Sequence, residues 1–477
     1  MKRFKLPLIA LAVAATRLPA IAHLPTPGDE VSYAAGASVI LNGGALYRDF
    51  LDHKPPLIYY TYAAVFGATS DYNLVAVHLV LMLFVAATGL VLGRVVRTFL
   101  APGVTNADLI AALLYVIFSA TFVDFAALDA NAELFLNLPM ALALWAWLKW
   151  RSTENRLHAF AAGVLVAVAT LYKYQAAALV VPIAIDVVRL RQFKSALALG
   201  AGLLLPAAAA VAFFAAAGTL DALWQRGVLY NFQFLGDAPA FSASLLALSA
   251  VVAQVIVPAS VLYLFGVGVI LFPASPTDRV VRWWFVALLP AVAMGGRFFP
   301  HYFLVLLVPL VALATRTITA ALSGHRGAVV AIALALPALG LNIFQWARPA
   351  IARATGNAEP DLAGVASVVR AQSAPDDLIF MWGQAYPVYA LSKRTPAARL
   401  IFWSFRADPQ APPSELESKL LADILADLEK YRARVVVDVG PESFRQAPAL
   451  AAYVVSKYRL VATFAIARVH VRSTAVD

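Results

Sequence analysis

Long apolar runs recur through most of this 477-residue chain, and they limit its fold more than any other feature. About 20 consecutive apolar residues cross the hydrocarbon of a bilayer, where only a helix satisfies its own backbone polar groups. Eleven candidate spans are predicted, near 5–22, 74–93, 108–123, 133–148, 157–171, 175–188, 196–217, 244–272, 282–296, 301–315 and 327–347. Charge is unevenly divided: residues 1–354 hold 37 of the charged side chains and residues 355–477 the other 27. The chain reads as a polytopic α-helical membrane body over 1–354, followed by a domain of nearly soluble composition over 355–477. With 62% apolar and 13% charged residues overall, an ordinary soluble enzyme is excluded. No cysteine occurs, so disulfides, thiolate metal sites and cysteine nucleophiles are excluded.

Lysine and arginine resist translocation across a membrane, so their distribution orients the spans. With Lys2, Arg3 and Lys5 in the cytoplasm, the inside connections collect 15 basic residues and the outside ones seven, with Arg17 left within the first span. The alternation holds at every crossing. It predicts a multi-pass protein of the cytoplasmic (inner) membrane, with its N-terminus cytoplasmic and its C-terminal domain extracytoplasmic. Ala20-Ile21-Ala22 has the form of a cleavage site, so residues 1–22 could instead be a leader; a retained helix is the preferred reading. Trp145, Trp147 and Trp150, at an inner boundary, are expected to be interfacial anchors.

The outer connection over 23–73 is far longer than the roughly two to eight residues usual between packed helices. Val31 to Leu41 within it reads as a short amphipathic helix at the interface, capped by Asp29 or Gly28. Asp29 and Glu30 are adjacent carboxylates at a membrane edge. Partial desolvation and like charge there would raise a carboxyl pKa and suit a general base. The structural alternative is a cap and a helix-dipole partner. Lys54 could equally snorkel or meet anionic lipid headgroups. Asp129 and Glu133, four apart, would share a helix face pointing towards Asp29. His53 and His301 could contact phosphate, tune Asp29 or join the carboxylates around a divalent cation. Lys173, between Tyr172 and Tyr174, could hold anionic lipid or sit in an aromatic belt. The connection from Asp221 to Asp237 could border an acceptor entrance or be a plain link.

The residues Asp29-Glu30-x-x-Tyr33, Gly44-x-x-Tyr47-x-Asp49 and Lys54-Pro55-Pro56 resemble the first outer loop of membrane-embedded GT-C glycosyltransferases. The likeness is to the bacterial branch related to protein O-mannosyltransferases and to the lipid A aminoarabinose transferase. It continues at Asp129 to Phe135, Leu171 to Gln175 and Gly296 to Phe303, in order along the membrane body.

This resemblance implies a polyprenyl-phosphate-linked sugar donor, transfer at the outer face with inversion, and a lipid, glycan or protein acceptor. Asp29 matches the family's base, with Glu30 beside it. Lys54 and Arg297 match positions that bind the lipid phosphate, with His301 and Tyr302 in the same segment. Tyr33, Tyr47, His53 and Lys173 would line the substrate pocket. A second acid falls on Asp129 or Glu133. Many relatives have one proline after the lysine, where this chain has two. Membrane lipids are the remaining expected partners, with no nucleic acid; no resident cofactor is expected, although a divalent cation could be taken.

Residues 355–477 show strand patterns at Leu378–Trp382, Val435–Val437 and Leu460–Phe464, and a helical one at Glu415–Tyr431, predicting a small α/β domain. Trp382-Gly383-Gln384 reads as a tight turn. A secondary transporter or lipid flippase is the competing function, since many spans and membrane charges also suit transport. No internal repeat supports it. A third alternative, a non-catalytic membrane scaffold with an outer α/β module, leaves the long charged first loop unexplained.

Overall fold

The structure, a computed structural model, describes residues 4–22, 28–100, 104–124, 126–232, 241–271, 275–355, 361–383, 386–401, 415–439 and 447–473, apart from the side chains of 352–353 and 415–417. Lys2, Arg3, the loop opening at 23–27, Asp237 and Gln384 lie outside the described residues.

Among the described residues up to 172 the chain forms seven α-helices: α1 (Lys5–Ala22), α2 (Asp29–Leu41), α3 (Leu57–Ala68), α4 (Leu74–Arg97), α5 (Ala107–Phe118), α6 (Ala132–Thr153) and α7 (Arg156–Tyr172). Among the described residues, five helices are long and apolar enough to cross a membrane: Lys5–Ala22, Leu74–Arg97, Phe193–Ala216, Pro300–Leu322 and His325–Ile351. The stretch read as one span near 244–272 is a pair of helices, Phe241–Ile256 and Ser260–Leu271, bent by 104°. Of the other expected spans, that near 133–148 lies in the 22-residue α6 and that near 282–296 in the 18-residue Pro276–Ala293 helix, while the rest contain shorter helices, some with irregular turns. Leu197, Leu204 and Ile343 point outward and are largely exposed. Such an apolar surface belongs in lipid, and the chain is a multi-pass membrane protein.

Between such helices, where lipid is as apolar as leucine, small residues let backbones approach. Helix α7 and Phe193–Ala216 cross at Gly163 and Gly202. A Cβ at Gly163 would lie 2.3 Å from the Leu199 carbonyl oxygen, and one at Gly202 2.2 Å from that of Phe160. Arg17 is buried in α1 and donates to the Ser119 carbonyl (2.6 Å) and hydroxyl (2.8 Å).

Two tryptophans depart from the expected interfacial role. Trp147 and Trp150 are buried and stacked with centroids 4.2 Å apart, and their indole nitrogens donate to Asp186 and Ser195. A satisfied N–H lets an indole stay inside the helix bundle. Trp145 is partly exposed, with Arg94 5.6 Å over its ring.

Near the C-terminus a four-stranded mixed sheet forms from β1 (Ile379–Trp382), β2 (Val435–Val439), β3 (Tyr458–Thr463) and β4 (Ala467–Arg472), ordered β1-β2-β4-β3. β1 and β2 are parallel, whereas β4 runs antiparallel to both β2 and β3. β4 was not anticipated. Gly383 follows β1 at φ +101°, as the expected turn requires. This region rests on the α2 connection: the Leu51 amide donates to the Arg399 carbonyl (2.7 Å), and the Tyr72 hydroxyl to that of Arg394 (3.0 Å). The hydroxyls of Ser38 and Thr395 meet at 2.8 Å.

Candidate active site

Helix α2 departs from its sequence expectation. Every residue from Glu30 to Val39 is buried, so it is an interior helix and not an amphipathic one. Packing on both sides, by α3 and by the 361–401 region, replaces the expected water-facing surface. Gly36 permits the contact with α3, since a Cβ there would stand 2.6 Å from Tyr59 Cδ1. Gly28 is the N-cap residue and makes no side-chain cap bond, which frees the Asp29 carboxylate for other partners.

Those partners are cationic and phenolic. Asp29 Oδ1 lies 3.1 Å from Lys54 Nζ, and Oδ2 accepts from the Tyr33 hydroxyl (3.2 Å) and lies 3.8 Å from His301 Nε2. Lys54 reaches back because the chain before it is pinned. The buried Asp52 carboxylate accepts from the amides of His53 (2.6 Å) and Lys54 (3.3 Å) and from the Ser32 hydroxyl (3.2 Å). Tyr47, held at φ +70°, donates its hydroxyl to the Lys54 carbonyl (2.7 Å), and the Asn231 amide donates to that of His53 (2.8 Å). Asp52 also stands 3.4 Å from Lys54 Nζ, so this lysine bridges two carboxylates beneath the Tyr33 ring.

Burial by itself would raise the Asp29 pKa, but the Lys54, His301 and Lys173 charges outweigh it and hold the carboxyl well below the usual range. The raised pKa expected from desolvation and a neighbouring Glu30 is therefore reversed by cations. Burial lowers Lys54, yet Asp29 and Asp52 more than compensate and push it above the ordinary lysine range. Asp52 is lowered, burial being outweighed by Lys54 and His53. His53 is lowered by burial, against the pull of Asp52.

Glu133, in the first turn of α6, forms a close ion pair with Lys173 and lies 4.0 Å from His301 Nε2. Lys173 sits 4.2 Å over the Tyr302 ring. His301 stacks on Phe299 and meets Tyr302 edge-on. The expected neighbours Asp29, Lys54, Glu133, Lys173, His301, Tyr302 and Tyr33 thus form one connected cluster. Arg297 is partly buried in the turn after the 276–293 helix, beside left-handed Gly295 and Gly296. Four residues from His301, its backbone lies no more than about 14 Å away along an extended chain.

Four expected site residues stand outside that cluster. Glu30 points to α4, where its carboxylate meets His78 Nε2 at 2.9 Å, because successive helical side chains diverge by about 100°. Asp129 and Glu133 do not share a helix face: α6 begins at Ala132 behind an Asn131 N-cap, and Asp129 is buried in the preceding turn. Tyr47 is a buried support for the Lys54 backbone. His53, partly exposed and 3.3 Å from Asp52, sits beside Tyr230. Sequence reasoning passed over Asp52 and His78. The Asp-x-Lys spacing around a tight backbone turn was the available signal for Asp52, while His78 carried none within an apolar run.

Among the described residues no group of three or more His, Asp and Glu side chains converges as a metal site. The carboxylates nearest to such a role are engaged, Asp29 by Lys54 and Glu133 by Lys173.

No protein-family model matches the chain, and no curated protein matches it. Solved structures do. ArnT from Cupriavidus metallidurans bound to undecaprenyl phosphate is similar with a TM-score of 0.68 at 12% identity, covering 98% of this chain and 97% of that one. The archaeal oligosaccharyltransferase AglB from Archaeoglobus fulgidus, in complex with an inhibitory peptide and a dolichol-phosphate, gives 0.50 at 14% identity, covering 99% and 74%. An Archaeoglobus fulgidus oligosaccharyltransferase in complex with Zn and sulfate gives 0.51 at 15% identity, covering 97% and 72%. Over nearly its whole length the chain shares the fold of these proteins.

Proposed function

We propose that this protein transfers a sugar from a polyprenyl-phosphate-linked donor to an acceptor hydroxyl or amine on a lipid, glycan or protein, at the outer face of the membrane. The observation that carries this reading is the Asp29 carboxylate set 3.1 Å from the Lys54 ammonium, in a buried cluster rich in cations. The fold likeness to ArnT, a protein seen with undecaprenyl phosphate, supports the class of donor.

The chemistry needs a base on one face of the sugar and positive charge on the other. Asp29 takes the acceptor proton as the acceptor atom bonds to the anomeric carbon. The bond from that carbon to the phosphate oxygen breaks, inverting the centre and releasing polyprenyl phosphate. Lys54 and Arg297 neutralise the departing phosphate, where fixed cations in a partly dry site act more strongly than in water. A phosphate leaves without being protonated, so one carboxylate suffices where glycoside hydrolysis uses two. Before donor binds, Asp29 is a weak base because the Lys54, His301 and Lys173 charges outweigh its burial. Donor phosphate draws part of that charge away, so the proton affinity of Asp29 rises when substrate is in place. Asp52 is a positioning residue for Lys54, and Glu133 with Lys173 holds His301 beside Asp29.

The 361–473 region, seated on the α2 connection, serves as an extracytoplasmic, acceptor-side module, with the membrane body of eleven spans ahead of it. The transport alternative would draw on the bent pair at 241–271, but that pair carries no acidic or basic side chain among the described residues, whereas the charges gather around α2. Mass spectrometry of envelope lipids and glycans from cells with and without the gene tests the proposal. A species lacking one pentose or hexose in the deletion supports it, and identical profiles under expressing conditions oppose it.

A further inference from the structure

A cavity of ≈ 800 Å³ lies at the far ends of the helices that carry the candidate site. Glu133 and Lys149 stand sixteen residues apart on α6, as do His78 and Arg94 on α4. At 1.5 Å per residue each pair is separated by about 24 Å, close to the roughly 30 Å of a bilayer's hydrocarbon core. The cavity therefore opens at the membrane face opposite Asp29.

Five cationic side chains line it: Lys5 from the start of α1, Arg94 and Arg97 from the end of α4, and Lys149 and Arg151 from the end of α6. Their charge is only partly matched. Asp108 takes both Lys5 (2.8 Å) and Arg97 (2.6 Å), and Asp186 takes Arg151 (2.9 Å). Five cations against two carboxylates leave a surplus of three. Arg94 lies over the Trp145 ring at 5.6 Å, an arrangement that holds the guanidinium at the interface. The remaining wall combines the hydroxyls of Thr98, Ser152 and Thr277 with apolar side chains, of which Ile9 and Leu90 lead from the cations towards the hydrocarbon. Positive charge at an aqueous rim, an interfacial indole and an apolar floor match the sequence of groups along a phospholipid. The space is also far larger than inorganic phosphate would fill. Basic pockets between membrane helices bind anionic headgroups in this way.

We infer that this cavity is a binding site for the phosphodiester headgroup of an anionic glycerophospholipid in the leaflet opposite the candidate active site, with Arg94 and Lys149 as its principal phosphate contacts. The full-length protein, purified in detergent, is to be tested by native mass spectrometry with four probes: phosphatidylglycerol, phosphatidylcholine of the same chains, undecaprenyl phosphate and inorganic phosphate. Wild type should retain phosphatidylglycerol at least tenfold over phosphatidylcholine. Arg94→Gln/Lys149→Gln should lose most of that preference and Arg94→Lys should keep it. Arg189→Gln/Lys194→Gln, which removes two cations from another connection, should behave as wild type. Melting in phosphatidylcholine checks that each variant is folded. If the double variant does not fold, the Lys149→Gln single variant decides by the same readout. Headgroup-indifferent retention, an unchanged double variant, or equal loss in the Arg189/Lys194 control would overturn the inference. So would a defect confined to undecaprenyl phosphate, or displacement of the lipid by millimolar inorganic phosphate.

Discussion

Asp29 and Lys54, twenty-five residues apart in sequence, face each other at 3.1 Å across the mouth of helix α2, and the same lysine stands 3.4 Å from Asp52. One ammonium shared by two carboxylates is held in place while remaining able to move towards a third anion. A donor phosphate entering the site would compete for Lys54 and release Asp29 to accept a proton.

Lys54→Met should weaken donor binding more than turnover. The substitution removes a charge-assisted contact worth about 1.5–3 kcal/mol, so the donor Kd should rise roughly ten- to hundredfold. Equilibrium binding of a fluorescent polyprenyl-phosphate sugar is the direct check. An unchanged Kd would remove Lys54 from phosphate recognition.

Glu133→Gln should destabilise the fold, because it leaves Lys173 buried without its counter-ion. Breaking a buried pair from one side typically costs about 3–5 kcal/mol, whereas replacing both partners by neutral groups often costs little. Glu133→Gln/Lys173→Met should therefore melt at a higher temperature than Glu133→Gln alone. Recovery of stability without recovery of transfer would show that the pair also positions His301.

The pH profile follows from the directions of the shifts. Asp29 is lowered, so it is ionised throughout the neutral range, and Lys54 is raised, so it stays protonated there. With an acceptor hydroxyl, kcat/KM should be flat between about pH 6.5 and 9 as far as these two groups are concerned. A limb centred near pH 7–8 that vanished in Asp29→Asn would mean the carboxyl is raised in the free enzyme, against the cation cluster described here.

Gly163→Leu should prevent close approach of α7 and the Phe193–Ala216 helix. The backbones meet where a Cβ would lie 2.3 Å from a carbonyl oxygen, so the helices must separate or the protein must misassemble. Detergent size-exclusion chromatography should show aggregated or low-yield material, while Gly200→Leu, with open space around its Cα, should behave as wild type.

The membrane body, the strand patterns of the C-terminal region and most of the cluster around Asp29 were legible in the sequence, because hydropathy, alternation and the charged first connection are local signals. What escaped depends on the tertiary fold. Helix α2 looks amphipathic in isolation, but α3 and the 361–401 region cover both its sides. The direction of the Asp29 shift is set by Lys54, His301 and Lys173, which come from three distant segments. Asp129 and Glu133 lie four apart, but a helix start at Ala132 divides them. Trp147 and Trp150 resembled belt residues until Asp186 and Ser195 supplied interior partners.

The most direct test is transfer by purified wild-type and Asp29→Asn protein, with a synthetic polyprenyl-phosphate sugar as donor and release of polyprenyl phosphate as the readout. Wild type should release the lipid phosphate only when acceptor is present. Asp29→Asn should be slower by about 10² to 10⁴, the usual worth of a positioned base, with donor affinity within about threefold. Equal release rates in the two proteins would contradict the assignment of Asp29 as the base.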